Sequence, residues 1–218
     1  MKALIVLALA LAPLTARAGC PTMTGADAAL AMQGDDLRLA WIEGRLARTS
    51  RRAKFWLHGW ELGLVSATAI NLAMLPILGD TTSNRIDFGL GAATTIIGVV
   101  PLIFWQPRVI DDHEAVEAAR GTADVCSRLA DAERRLTASA TTQATLRAWY
   151  MHGGNVVLNF GVTLLFGAFH HWRTGILSGV GGAVIGEAII FSEPVDQIDD
   201  LAKYRRGVAL SSGLVSTF

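Results

Sequence analysis

The chain has 218 residues, 51% of them hydrophobic and 17% charged, with 19 basic and 19 acidic side chains balancing to zero and a mean hydropathy of +0.39. Zero net charge, with acidic and basic residues alternating, gives no footing for a nucleic-acid partner. Apolar residues are gathered in blocks, which excludes an ordinary soluble domain and places the chain among membrane proteins.

Residues 1–18 carry Lys2, an apolar stretch from Ala3 to Leu14 and then Ala16-Arg17-Ala18, the three-part pattern of a secretory signal peptide with cleavage expected after Ala18. The stretch is short of the roughly 20 residues that a spanning helix needs. Ala18-Gly19-Cys20 also resembles the end of a lipoprotein lipobox, but Arg17 stands where an aliphatic residue is required. An uncleaved anchor is the third reading, and it would invert the topology. Residues 19–54 read as an extramembrane arm and a helix, Asp35 to Lys54, with Leu39, Ile42 and Leu46 as its apolar stripe and Asp35 or Asp36 as its cap.

Two apolar runs, Phe55 to Leu78 and Ile86 to Trp105, flank the polar turn Gly79 to Arg85 and define a first transmembrane hairpin, residues 55–106. Residues 107–147 form an extramembrane connector of one or two amphipathic helices, with Val116, Ala119, Leu129, Ala132 and Leu136 at helical intervals and Gly121 as the break. A second hairpin, residues 148–193, repeats the first with runs Ala148 to Phe169 and Gly175 to Phe191 around the turn His170 to Thr174. Residues 194–218 read as a helix and tail. Because backbone groups in lipid must be satisfied within the segment, unpaired spans of this length are helical. A porin-like barrel is set aside, since the runs are continuously apolar rather than alternating, and the terminal Phe218 is only a faint hint of one. The fold expected is an all-α integral membrane four-helix bundle with amphipathic extramembrane helices.

The hairpins read as a duplication, Phe55 to Gly121 and Trp149 to Gly207. Each copy opens on an aromatic residue and a His-Gly pair, Trp56 with His58-Gly59 and Tyr150 with His152-Gly153. Each closes on Phe, Pro, Ile-Asp-Asp, Arg and Gly, at Phe104, Pro107, Ile110 to Asp112, Arg120 and Gly121, and at Phe191, Pro194, Ile198 to Asp200, Arg206 and Gly207. Repeats of two spans each share one orientation and so are related by a parallel pseudo-symmetry. The repeated Ile-Asp-Asp is expected to be the capped start of a helix leaving the membrane.

Small residues at fourfold spacing mark helix contacts in lipid. They are clearest in the fourth run, at Gly175, Gly179, Gly182 and Gly186, with weaker stripes at Gly59 and Gly63 and at Gly89 with Ala93. Such faces also offer a route to a homo-oligomer or a protein partner within the bilayer. The two cysteines, Cys20 and Cys126, fall in segments on one side of the membrane, so a disulfide between them is open alongside two unrelated thiols.

Polar residues inside spans are costly and informative. His58 and Glu61 lie one turn apart in the first run, His152 and Asn155 occupy the equivalent places in the third, and Glu187 approaches the same face from the fourth. Hydrogen-bonded histidines at headgroup depth explain them most simply. The alternatives are a divalent metal held by His58, Glu61, His152 and Glu187, haem ligated by His58 and His152, and a route for protons or a small solute. His170, His171, Trp172 and Arg173 read as an interfacial anchor. No catalytic motif is present in the sequence.

A cleaved signal places the long segments on the periplasmic or extracellular face of the cell inner (cytoplasmic) membrane, whereas the lysines and arginines concentrated in those segments argue for the reverse. The role expected is a non-enzymatic envelope protein that scaffolds or binds a partner, with haem, metal or transport function as the competing class.

Overall fold

The computed structural model describes residues 19–104 and 106–207. The expected signal segment, Trp105 and the tail ending in Phe218 lie outside the described residues. Regular structure among them is helical throughout: α1 (Ala28–Ala31), α2 (Asp35–Leu78), α3 (Thr82–Phe104), α4 (Arg108–Ala118), α5 (Val125–Leu146), α6 (Trp149–Phe169), α7 (Trp172–Ser192) and α8 (Asp196–Arg205). Four of these, α2, α3, α6 and α7, include stretches long and apolar enough to cross a membrane.

The amphipathic helix expected to end at Lys54 and the span expected to begin at Phe55 are one unbroken helix of 44 residues, about 66 Å long at 1.5 Å per residue. Composition changes at Lys54 from amphipathic to apolar, but no proline or paired glycine interrupts the backbone there. Pro76 lies in the last turn. Gly34 is the N-cap of α2, with Asp35 and Asp36 in its first turn. Asp35 instead accepts the backbone N–H of Cys20 at 2.9 Å and pairs with Arg38 at 3.1 Å.

The N-terminal half of α2 packs with α4, α5 and α8 into a helical cap. Leu39, Ile42 and Leu46 of α2 meet Val109, Ile110 and Val116 of α4, Leu129, Ala132 and Leu136 of α5 and Tyr204 of α8 in one buried core. Each such aliphatic side chain contributes about 1.5–3 kcal/mol by leaving water. The arm before α2 closes the cap. Leu30 is fully buried, and the Asp27 N–H donates to the Arg205 carbonyl at 2.8 Å. Gly207 has φ +66°, and a Cβ there would stand 2.9 Å from the backbone of Ala29 and Leu30, so this close approach requires glycine. Gly121, at φ +76°, ends the corresponding segment after α4.

Ile-Asp-Asp falls in the opening turns of α4 and α8 but caps neither helix. Pro107 is the N-cap of α4 and Val195 that of α8, which puts both pairs inside the helices and buries the second aspartate of each, Asp112 and Asp200. Partners across the cap satisfy Asp112, whereas Asp200 has an ion pair with Arg45 and an Oδ2 without a hydrogen-bond partner among the described residues.

Two helical hairpins, α2 with α3 and α6 with α7, extend from the cap, and α3 also packs on α7. Polar ties join them at both ends. On the cap side the indole N–H groups of Trp56 and Trp60 donate to Ser192 Oγ at 2.9 and 3.0 Å. On the turn side Asp87 accepts from Thr174 Oγ1 at 3.1 Å and meets His170 Nε2 at 3.0 Å. His170 is therefore a bridge between hairpins rather than a lipid anchor. The second turn is shorter than expected, because Trp172 to Thr174 already belong to α7, and α7 ends at Ser192, leaving Glu193 outside the span.

Candidate functional site

Inside the second hairpin, α6 presents His152, Asn155, Asn159 and Thr163 to α7. Asn159 Nδ2 donates to Asn155 Oδ1 at 2.9 Å, and Asn155 Nδ2 donates to Glu187 Oε1 at 3.0 Å and to the Ala183 carbonyl at 3.0 Å. His152 Nδ1 lies 2.6 Å from the other oxygen, Glu187 Oε2. One proton lies between the two groups, donated by Nδ1 where the carboxyl is ionised. Glu187 thus has partners on both oxygens, which is how a carboxylate is accommodated in a span.

The glycines of α7 make this seam by leaving room for it. A Cβ on Gly186 would collide with the Asn155 amide, one on Gly182 with the Asn159 amide, one on Gly179 with the Thr163 hydroxyl, and one on Gly175 with the Thr163 carbonyl at 2.5 Å. Side-chain amides and hydroxyls fill the absent methyls, so close backbone approach and hydrogen bonding coincide. In the first hairpin the corresponding place is Gly91 against Asn71, beside a Thr68 to Thr95 hydroxyl pair at 2.6 Å. The stripes expected at Gly59, Gly63 and Gly89 do not pack in the hairpin, since a Cβ at any of them meets nothing within 4 Å.

His58, Glu61, His152 and Glu187 form two pairs rather than one cluster. His58 Nδ1 is 3.0 Å from Glu61 Oε2 along α2, and 73% of the His58 side chain is exposed. His152 and Glu187 belong to the other hairpin. Each histidine has a carboxylate of its own, which sequence depth alone could not reveal. The group of potential ligand atoms that does gather within 4.8 Å among the described residues is Cys20, Asp35 and Cys126. There Cys20 and Cys126 are bonded to each other, with Cα atoms 5.1 Å apart.

The cap holds the other concentration of chemistry. Arg38 is buried. Its Nη2 donates to Glu133 Oε1 at 2.6 Å, its Nε to the Tyr204 hydroxyl at 3.2 Å and its remaining hydrogens to Asp35 and to the Cys20 and Pro21 carbonyls. Tyr204 donates its own proton to Glu133 at 2.5 Å. Burial, reinforced by the neighbouring carboxylate, raises the Tyr204 phenol well above its ordinary range and keeps it a donor. Asp112 accepts from Ser139 at 2.7 Å and from Arg108 and Arg135 at 3.2 Å. Asp200 pairs with Arg45 at 3.5 Å, and burial raises its carboxyl above the usual range. Beyond the end of α7, burial pushes the Glu193 carboxyl up to about 7 against the opposing pull of Arg147. Arg147 also donates to the Phe191 and Glu193 carbonyls at 2.8 and 3.2 Å, closing the α7 C-terminus.

Sequence reasoning missed Arg38, Asp87, Glu133 and Tyr204, and it read Asp112 only as part of a helix cap. A carboxylate at Asp87, just inside an apolar run, was a signal available to it. Arg38 and Glu133, 95 residues apart, gave none. The chain matches no protein-family model, no curated protein and no solved structure.

Proposed function

We propose that this is an envelope membrane protein, exported by residues 1–18, whose two duplicated hairpins hold a rigid helical cap on the periplasmic or extracellular face of the inner membrane as a non-enzymatic scaffold or partner-binding platform. The observation that carries this reading is the cap itself. It continues into the bilayer through one unbroken helix, α2, is tied by a disulfide spanning 106 residues, and commits Arg38, Glu133 and Asp112 to holding its own helices together. Disulfides persist in oxidising compartments, which supports an exported cap over the opposite orientation that the basic residues favour. Paired left-handed glycines after α4 and α8, and buried aspartates at Asp112 and Asp200, support duplication.

Thiol labelling tests the topology. The native chain, denatured without reductant, is expected to present no reactive thiol. An Asp80→Cys variant in intact cells is expected to resist an impermeant maleimide until the membrane is opened. Free native thiols, or labelling of Asp80→Cys in intact cells, would overturn the orientation.

A second reading, proton or small-solute passage, is favoured by one observation, the Glu187 carboxylate bonded to His152 and Asn155 within the spans. Proton uptake by vesicles containing the protein, abolished by Glu187→Gln, would select it over the scaffold. Haem or metal bound by the same histidines would show as a Soret band or stoichiometric metal in purified protein.

A further inference from the structure

On the cap side of the bilayer the outward face of α2 carries an open recess of about 520 Å³, lined by Arg52, Phe55, Trp56, Gly59, Trp60 and Gly63, with Ser192 and Pro194 at its far edge. Its floor is Gly59 and Gly63, where a Cβ would meet nothing within 4 Å. One wall is fixed, because both indoles are locked to the same Ser192 hydroxyl, which itself donates to the Ala188 carbonyl at 2.5 Å. At 100° per residue, Arg48, Arg51 and Arg52 lie on the same helical face as Phe55, Gly59 and Gly63. Arg52 is held by Asp196 at 3.0 Å. Arg48 and Arg51 are exposed, and among the described residues neither takes part in an ion pair.

From Arg52 to Gly63 is about 16 Å along the axis, close to the depth of one leaflet's hydrocarbon, about half of 30 Å. The face therefore presents guanidinium groups at headgroup level and, directly below, an aromatic-walled trough at acyl level. We propose that it binds one anionic phospholipid, its phosphodiester held by Arg48 and Arg51 with Arg52 at the rim, and an acyl chain laid over Gly59 and Gly63. Charge decides between this and a second copy of the chain. Two copies in one membrane share an orientation, so a symmetric crossing at Gly59 and Gly63 would set one Arg48, Arg51, Arg52 row against the other, whereas a phosphate neutralises it.

Native mass spectrometry of the full chain in nonionic detergent, titrated with dioleoyl phosphatidylglycerol and separately with dioleoylglycerol, tests the site. One phosphatidylglycerol retained per chain is expected, bound at least tenfold more tightly than dioleoylglycerol. Gly59→Leu with Gly63→Leu fills the trough and is expected to weaken binding at least tenfold. Arg48→Gln with Arg51→Gln, both on the exposed surface, is expected to bring phosphatidylglycerol down to the level of dioleoylglycerol. Gly161→Leu, at an open position on α6, is expected to change nothing. Undiminished binding in the filled variant, equal loss in Gly161→Leu, equal affinity for the two lipids, or a dimer that the filled variant dissociates would each overturn the proposal.

Discussion

Replacing Arg38 by Met should reveal what the buried ion pair of the cap does. The Arg38 side chain is 1% exposed and that of Glu133 6%, so the substitution leaves a carboxylate in the core with only the Tyr204 phenol as partner. Two carbonyls, Cys20 and Pro21, lose their guanidinium as well. Removing one member of a buried pair costs about 3–5 kcal/mol, mostly because the other charge stays behind. For a chain of this size that corresponds to a melting temperature lower by roughly 6–20 °C, read by far-ultraviolet circular dichroism of the full chain in detergent. The double variant Arg38→Met with Glu133→Leu removes both charges and should recover most of the loss, since well-packed apolar replacements of buried pairs are commonly neutral or stabilising. A single variant within about 1 kcal/mol of the parent, or a double variant whose loss equals the sum of the two singles, would refute the argument, because uncoupled residues add.

Cys126→Ser opens a loop of 106 residues and should lower cap stability by about 2–4 kcal/mol, seen as faster proteolysis of the arm ahead of α2 than in the oxidised parent. Gly182→Val on α7 drives a side chain into the Asn159 amide and should destabilise the second hairpin by about 1–3 kcal/mol, while Gly154→Ala, open on α6, should leave thermal stability unchanged. Glu193 sets a pH dependence of definite sign. Its folded-state carboxyl sits at about 7, above the ordinary 4.5, so the folded state binds the extra proton, and stability should fall as pH rises from about 4.5 to about 7 and level off above, by up to roughly 3 kcal/mol. Glu193→Gln should flatten that part of the stability profile, and an unchanged slope would show that another group sets it.

How much of this could be read from the sequence follows from the range over which each constraint acts. Lipid requires a span to be predominantly apolar and its backbone locally satisfied, so four stretches and two turns were visible as local composition. The glycines at Gly175, Gly179, Gly182 and Gly186 were visible for the same reason, as a property of one helix face. What they face was not. The seam depends on Asn155, Asn159 and Thr163 sharing a face of α6, and its glycines read equally well as contacts with any helix. Gly59 and Gly63 show the converse, carrying the same spacing on a face that the hairpin leaves open. Depth along the helix brought Glu187 equally near both histidines, but depth cannot choose between His58 and His152, and the hairpin partner, His152, is the one that Glu187 meets. In the cap the aspartates of the Ile-Asp-Asp repeats read locally as helix caps. Asp112 is not one, because Ser139 and Arg135, which lie across the cap on α5, satisfy it together with Arg108, and no local pattern encodes a partner on a different helix. The continuity of α2 was hidden by a change of composition that looks like a boundary. A helix is broken by missing donors or by strain, not by a change of composition, so one backbone runs unbroken from the cap through the apolar stretch of α2.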